Sequence, residues 1–150
     1  MTEIERIDDQ IKRAYRGKAW HGPSLLEVLD GVNAEKAARL LPNSHSIWEI
    51  VNHVSAWTAA VSGRLRGESI KEPAEGDWPA TGDTSEIAWK AALARLESNY
   101  EGLRKQIAGL DGAGLDETSG SSPFSHYIHL HGTVHHYLYH AGQIALLKKM

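Results

Sequence analysis

"HHYLYHAGQI", residues 135–144, places three imidazoles among residues that are otherwise mostly apolar or small. Helical geometry brings side chains at i and i+4 onto one face, and His136 and His140 have that spacing. Working outward, Leu130, Val134, Tyr137, Leu138, Ala141 and Ala145 recur at helical intervals and form a broad apolar face. His126, His129, Thr133, His136, His140, Ile144 and Leu147 form a second line, polar in content but core-like in period. That line ends apolar, so it points inward. The pattern predicts one long helix over roughly Ser125 to Lys148 that carries imidazoles toward a core.

The rest of the chain repeats the helical period. Ile4, Ile7, Ile11 and Ala14 lie on one stripe of a segment from about Thr2 to Arg16, which Gly17 ends. Short turns follow, one starting at Pro23 or Ser24 and one capped by Asn33, with Pro42 as a stop. "SIWE" at 46–49 is a capping box, in which Ser46 caps and Glu49 reaches back. Ile47, Ile50, Val51, Val54, Thr58, Val61 and Leu65 then mark a second long helix up to Gly67. "GESIKEPAEGDWPATGD" at 67–83 is longer than most connections in a compact domain. It is expected to cross the bundle with Trp78 partly buried near a pocket or a partner subunit. Thr84 or Ser85 opens a third long helix, and a Gly-rich stretch from Asp111 to Ser122 precedes the last. Strand alternation and internal repeats are not evident. The expected fold is all-α: a single four-helix-bundle domain over residues 1–150, with a long crossover connection after the second long helix.

Composition narrows the function. The chain has 150 residues, 41% of them hydrophobic, and a net charge of -3 with His neutral. No Lys/Arg run favours nucleic acid, and no apolar stretch approaches the roughly 20 residues that span a bilayer. The charged first residues lack a secretory pattern, so a cytoplasmic protein is expected. There is no cysteine, which removes thiolate ligands and a cysteine nucleophile together. A metal here must rest on His, carboxylates or solvent. Nine histidines are present, six of them between His126 and His140.

H-x-x-x-H is a weak signal alone, and Tyr137 stands where a zincin would carry Glu. Buried imidazoles nonetheless need partners, and a shared metal is an economical one. His53 lies at the shoulder of the second helix's stripe, beside Ile50 and Trp57. It faces the last helix as a natural third ligand, though a lone His there reads first as one satisfied by a backbone group or water. His135 projects to the surface, and His129 borders the pocket or sits half-exposed. Gln143 faces a bound molecule or links helices, while His45 caps or orients the second helix's start.

"HSIWEIVNHVSAW" (45–57) and "HHYLYHAGQIALLKK" (135–149) resemble the two signature stretches of the DinB-like superfamily. "GPSLLEVLDGV", "DWP" and Trp89 extend the resemblance over most of the chain. That superfamily comprises bacterial four-helix bundles, some induced by damage or stress. The resemblance implies a divalent metal held by one His of the second helix and two of the last, which fall on His53, His136 and His140. Zinc or nickel is expected first, with iron or manganese as alternatives. Ile50, Trp57, His129, Gln143 and Ile144 are the candidate substrate-pocket residues. Some similar proteins are bacillithiol S-transferases or mycothiol-dependent isomerases, and others have been proposed as metal-dependent hydrolases. The expected function is a metal-dependent transferase that brings a low-molecular-weight thiol to a small electrophile. The rivals are a hydrolase acting through metal-bound water, a non-catalytic metal-binding stress-response protein, and histidines that serve packing alone. A homodimer is expected.

Overall fold

In the computed structural model, which describes residues 1–120 and 122–150, each long helix begins where a side chain can satisfy its free N–H groups. Thr2 with Glu5 forms a capping box for α1 (Glu3–Arg16), as Ser24 with Glu27 does for α2 (Leu25–Leu29). Asn33 caps α3 (Ala34–Ala38). Ser46 and Glu49 box the start of α4 (Ile47–Leu65). Ser85 caps α5 (Glu86–Ala108) and Ser125 caps α6 (His126–Lys149). One stop also has a conformational reason. Gly17 adopts a φ of 142°, a backbone state that costs other residues strain.

Four of these helices are long, and they pack as a bundle. Trp48 meets Trp89 at 5.1 Å between ring centroids, and Asn99 Nδ2 donates to the Ser55 carbonyl. Both contacts advance in the same direction, so α4 and α5 run parallel. A chain that leaves the end of α4 must travel back along the bundle to start α5, and residues 66–85 make that journey. The contacts between α4 and α6 run the other way: His53 with His136, and Arg64 with His129. The core joins all four long helices through buried Ile11, Tyr15, Val54, Leu96, Tyr100, Leu130 and Tyr137. Tyr15 stacks on Tyr100 with centroids 3.8 Å apart. Among the described residues there is no strand beyond isolated bridges, and no helix is long and apolar enough to cross a membrane.

The short helices α2 and α3 fill the first connection. Trp89 Nε1 donates to the Val32 carbonyl at 2.8 Å, which fixes the turn between them over the start of α5. The Gly-rich stretch before α6 contains a 3-10 turn, Ala113–Asp116, which the sequence reading treats as plain loop. His126 Nδ1 meets the Gly114 carbonyl at 3.0 Å and ties that turn to the start of α6.

Candidate metal centre

Both inward lines of α6 are buried. Leu130, Tyr137 and Ala141 enter the apolar core, while His129, Thr133 and His140 are buried on the adjoining face. The histidine line therefore looks toward α4 rather than toward water. His53 and His136 approach with their Nε2 atoms 2.9 Å apart. His140 joins them, and one ring nitrogen from each of the three lies within 4.8 Å of the others.

The outer nitrogens of two rings are engaged. His53 Nδ1 donates to the Asp77 carbonyl at 2.6 Å, and His140 Nδ1 donates to Gln143 Oε1 at 2.6 Å. A carbonyl oxygen only accepts, so each bond fixes the proton on Nδ1 and leaves the Nε2 lone pair free. Such partners orient metal-ligating imidazoles and set their tautomer. Burial, with the neighbouring His140 and His53, pushes the His136 pKa down to about 3. Burial and His53 push His140 down to about 4, against the raising effect of its bond to Gln143. Both rings are neutral at pH 7, the state a metal requires.

The fit can be judged from these distances. Two nitrogens at 2.0–2.1 Å from one tetrahedral ion stand about 3.3 Å apart. The 2.9 Å separation of His53 and His136 is close to that value. His53 Nε2 is the acceptor in that contact, so His136 either donates its own Nε2–H to it or, with its proton on Nδ1, shares a metal ion with it. The triad fits a divalent ion with nitrogen-ligand chemistry.

Trp78 roofs the triad. Its ring stacks on His53 at 3.9 Å and on His45 at 3.6 Å, so it lies between two imidazoles. At 36% exposure its outer edge still meets solvent. Asp77 anchors the same loop, with its Oδ1 accepting from Trp57 Nε1 at 2.7 Å.

A cavity of about 420 Å³ opens beside the triad between α4 and α6. Trp57, Val61, Arg64, Ile128, His129 and Thr133 are among its walls, with His53 and His136 at one end. Of the five candidate pocket residues, Trp57 and His129 lie in this lining. Ile50 and Ile144 are instead buried in the core. On α4, Ile50 and Trp57 share a face to within about 20°, so depth along the helix separates them: Ile50 lies before His53, in the packed core, while Trp57 and Arg64 lie beyond it, where the cavity opens. Gln143 is not in the lining either, because its side chain is spent on His140. His135 is exposed. Glu49 is occupied by the cap, accepting from the Ser46 amide at 2.7 Å.

Two residues escaped the sequence reading. Asp77 acts across 24 positions through a loop carbonyl, which no periodicity reports. Arg64 was legible: eleven residues after His53, it returns to within about 20° of the same helix face.

A model of the DinB superfamily matches residues 19–144. No curated protein and no solved structure matches. The match covers most of the chain, including both histidine stretches, and the chain belongs to the DinB superfamily.

Proposed function

We propose that this DinB superfamily chain is a metal-dependent enzyme that brings a small thiol to a small electrophilic substrate. His53, His136 and His140 hold one divalent ion, zinc or nickel, through their Nε2 atoms. When bound, such an ion supplies a Lewis-acidic position beyond its three protein ligands, where a thiol ionises below its ordinary pKa of about 8.5. The observation that carries the reading is the junction of two features. Three imidazoles, two buried and one half-buried, converge, and they do so at the end of a cavity large enough for a small molecule. A purely structural site would be enclosed by protein ligands instead of adjoining such a space.

The chain's own residues favour the thiol route over hydrolysis. Asp77 is the carboxylate in the cavity wall, and it is committed to Trp57 Nε1, with His53 Nδ1 3.3 Å away. It is poorly placed to take a proton from water. The chain has no cysteine, so the sulfur must arrive with a substrate. Trp78 covers His53 and limits water there, while Asp77 and Gln143 hold two imidazoles at fixed angles.

Metal analysis of protein purified without an affinity tag tests the reading. About one divalent ion per chain is expected, lost in His53→Ala, His136→Ala and His140→Ala alike. Cobalt-loaded protein should gain a near-ultraviolet sulfur charge-transfer band when a small thiol is added. Retention of metal by all three variants would sink the triad. A spectrum that responds to pH but not to thiol would favour a hydrolase.

A further inference from the structure

We infer that the cavity beside the triad takes an elongated small molecule with an anionic end group, a carboxylate or a phosphate, seated on the Arg64 guanidinium. The inference names the substrate class of the metal centre proposed above, and it rests on that reading only for the reacting end.

Arg64 stands in the cavity wall away from the triad. Its Nε donates to the Ile70 carbonyl at 2.8 Å and its Nη2 to the Lys71 carbonyl at 3.1 Å. Its Nη1 lies 3.4 Å from His129 Nδ1, a long contact. Three of the five guanidinium N–H groups are thus engaged, all by uncharged partners. No carboxylate among the described residues forms an ion pair with it. The guanidinium lies over the Trp57 ring, 5.5 Å from its centroid. Burial lowers the Arg64 pKa, as expected of a cation with no counter-charge. A partly buried and uncompensated charge is costly to a fold. Two backbone carbonyls hold this one in place, and its remaining donors have no partner among the described residues, which suits a carboxylate or phosphate.

A second space, of about 450 Å³, meets the first at Trp57, Arg64, Phe124 and His129. Ser119 and Ser122 line it. The Ser119 hydroxyl is buried and has no hydrogen-bond partner among the described residues. The Ser122 hydroxyl is engaged by His129 and Phe124, so Ser119 is the hydroxyl that an anion beside Arg64 could recruit. The spacing sets the length of the molecule. His129, beside Arg64, precedes His136 by seven residues, which is about 10 Å of helix. The wall between them is mostly apolar, with Val61, Phe124 and Ile128, and the hydroxyls of Thr58 and Thr133 are spent on helix carbonyls. The occupant is therefore amphiphilic, with its charge about 10 Å from the atom that reacts.

Octanoate and octanol are suitable probes, because neither carries a thiol and both can be titrated into metal-free protein. Calorimetric titration reads the affinity of each probe directly. Octanoate should bind at least about tenfold more tightly than octanol, since a charge-assisted hydrogen bond is worth a factor of that order. Arg64→Gln should erase the preference while octanol still binds, and Arg64→Lys should restore part of it. Gly132 is also in the lining, and a Cβ built there meets nothing within 4 Å. Gly132→Leu should therefore fold, fill the cavity and abolish binding of both probes. Octyl phosphate binding more tightly than octanoate would identify the end group as phosphate, and the reverse order as carboxylate. Equal affinity of the parent for octanoate and octanol overturns the inference whatever the variants do, and so does octanoate binding that survives Gly132→Leu unchanged. Metal content is measured on the same samples. A parent that binds octanoate but no metal would sink the metal reading and leave the anion site standing.

Discussion

His136 and Tyr137 are neighbours on α6, and each reaches a residue of α4, yet their polar atoms meet opposite fates. Tyr137 is fully buried and its hydroxyl lies 3.0 Å from Thr58 Oγ1. Thr58 Oγ1 donates to the Val54 carbonyl at 2.8 Å, so the tyrosine must donate to the threonine. Every proton in that chain has an acceptor. One residue away, His136 Nε2 faces His53 Nε2, and the hydrogen bond that pins His53 leaves its Nε2 as an acceptor. The first pair is complete within the protein. The second closes only with a proton on His136 Nε2, and a divalent ion can take the place of that proton. Of two polar pairs of similar placement, the one whose shared proton a metal can replace is the candidate site.

The largest expected effect tests that contrast directly. Tyr137→Ala removes a fully buried ring packed against Tyr15 and should cost about 3–5 kcal/mol in denaturant unfolding of metal-free protein. His136→Ala, in the same metal-free state, should shift stability by only about 1 kcal/mol, because the ring is only half-buried and its one hydrogen bond to His53 contributes about that much. Equal losses would show that the histidines are ordinary core residues and that the contrast is false.

Acid provides a second and smaller test. The unperturbed imidazole titrates at 6.5, and burial holds His136 near 3 and His140 near 4 in the fold. Between these values the unfolded chain binds protons that the folded chain refuses. The stability of metal-free protein is therefore complete above about pH 6.5 and falls as pH drops toward 4 and then 3. The loss between pH 7 and pH 5 should be on the order of 2–4 kcal/mol, at up to about 1.4 kcal/mol per unit for each ring. Denaturant midpoints at the two pH values measure it. His136→Ala should remove about half of the slope, and Tyr137→Phe none. A parent whose midpoint ignores pH would mean that water reaches these rings freely.

Much of this arrangement could be read from the sequence. Ser46 with Glu49 and the stripe from Ile47 to Leu65 fix α4, because caps and periodicity are local. His136 and His140 share a face for the same reason. The short 3-10 turn at 113–116 lies in a Gly-rich stretch with no period to reveal it. The pocket was only half legible. Trp57 lines it, while Ile50, two turns earlier on the same face, is core, since which end of an apolar stripe meets a cavity depends on the partner helix. Gln143 has the chemistry to face a bound molecule, and only the bond to His140 shows how it is used. Asp77 could not be found at all, because it contributes a backbone carbonyl that every residue possesses.

The smallest expected effect concerns the roof. Trp78 belongs to residues 66–85, yet its ring lies flat between His45 and His53, with interplanar angles of 7° and 10°. A stacked aromatic pair contributes about 0.5–1.5 kcal/mol beyond its buried area. Trp78→Ala should therefore cost about 1 kcal/mol of stability, a fraction of the Tyr137→Ala loss. Its effect on the site should be larger than on the fold. The Asp77 carbonyl that accepts from His53 immediately precedes this ring, so loosening the roof also loosens the imidazole. Loss of such an outer partner typically weakens metal binding by about 10–100-fold. Trp78→Phe, which keeps a stacking face, should recover most of the affinity. His45→Ala removes only the upper ring of the stack and should fall between them. If Trp78→Ala binds metal as the parent does and leaves ring-proton exchange at His53 unchanged, the roof is a passenger. The histidine pair beneath it would then be held in place by the two helices alone.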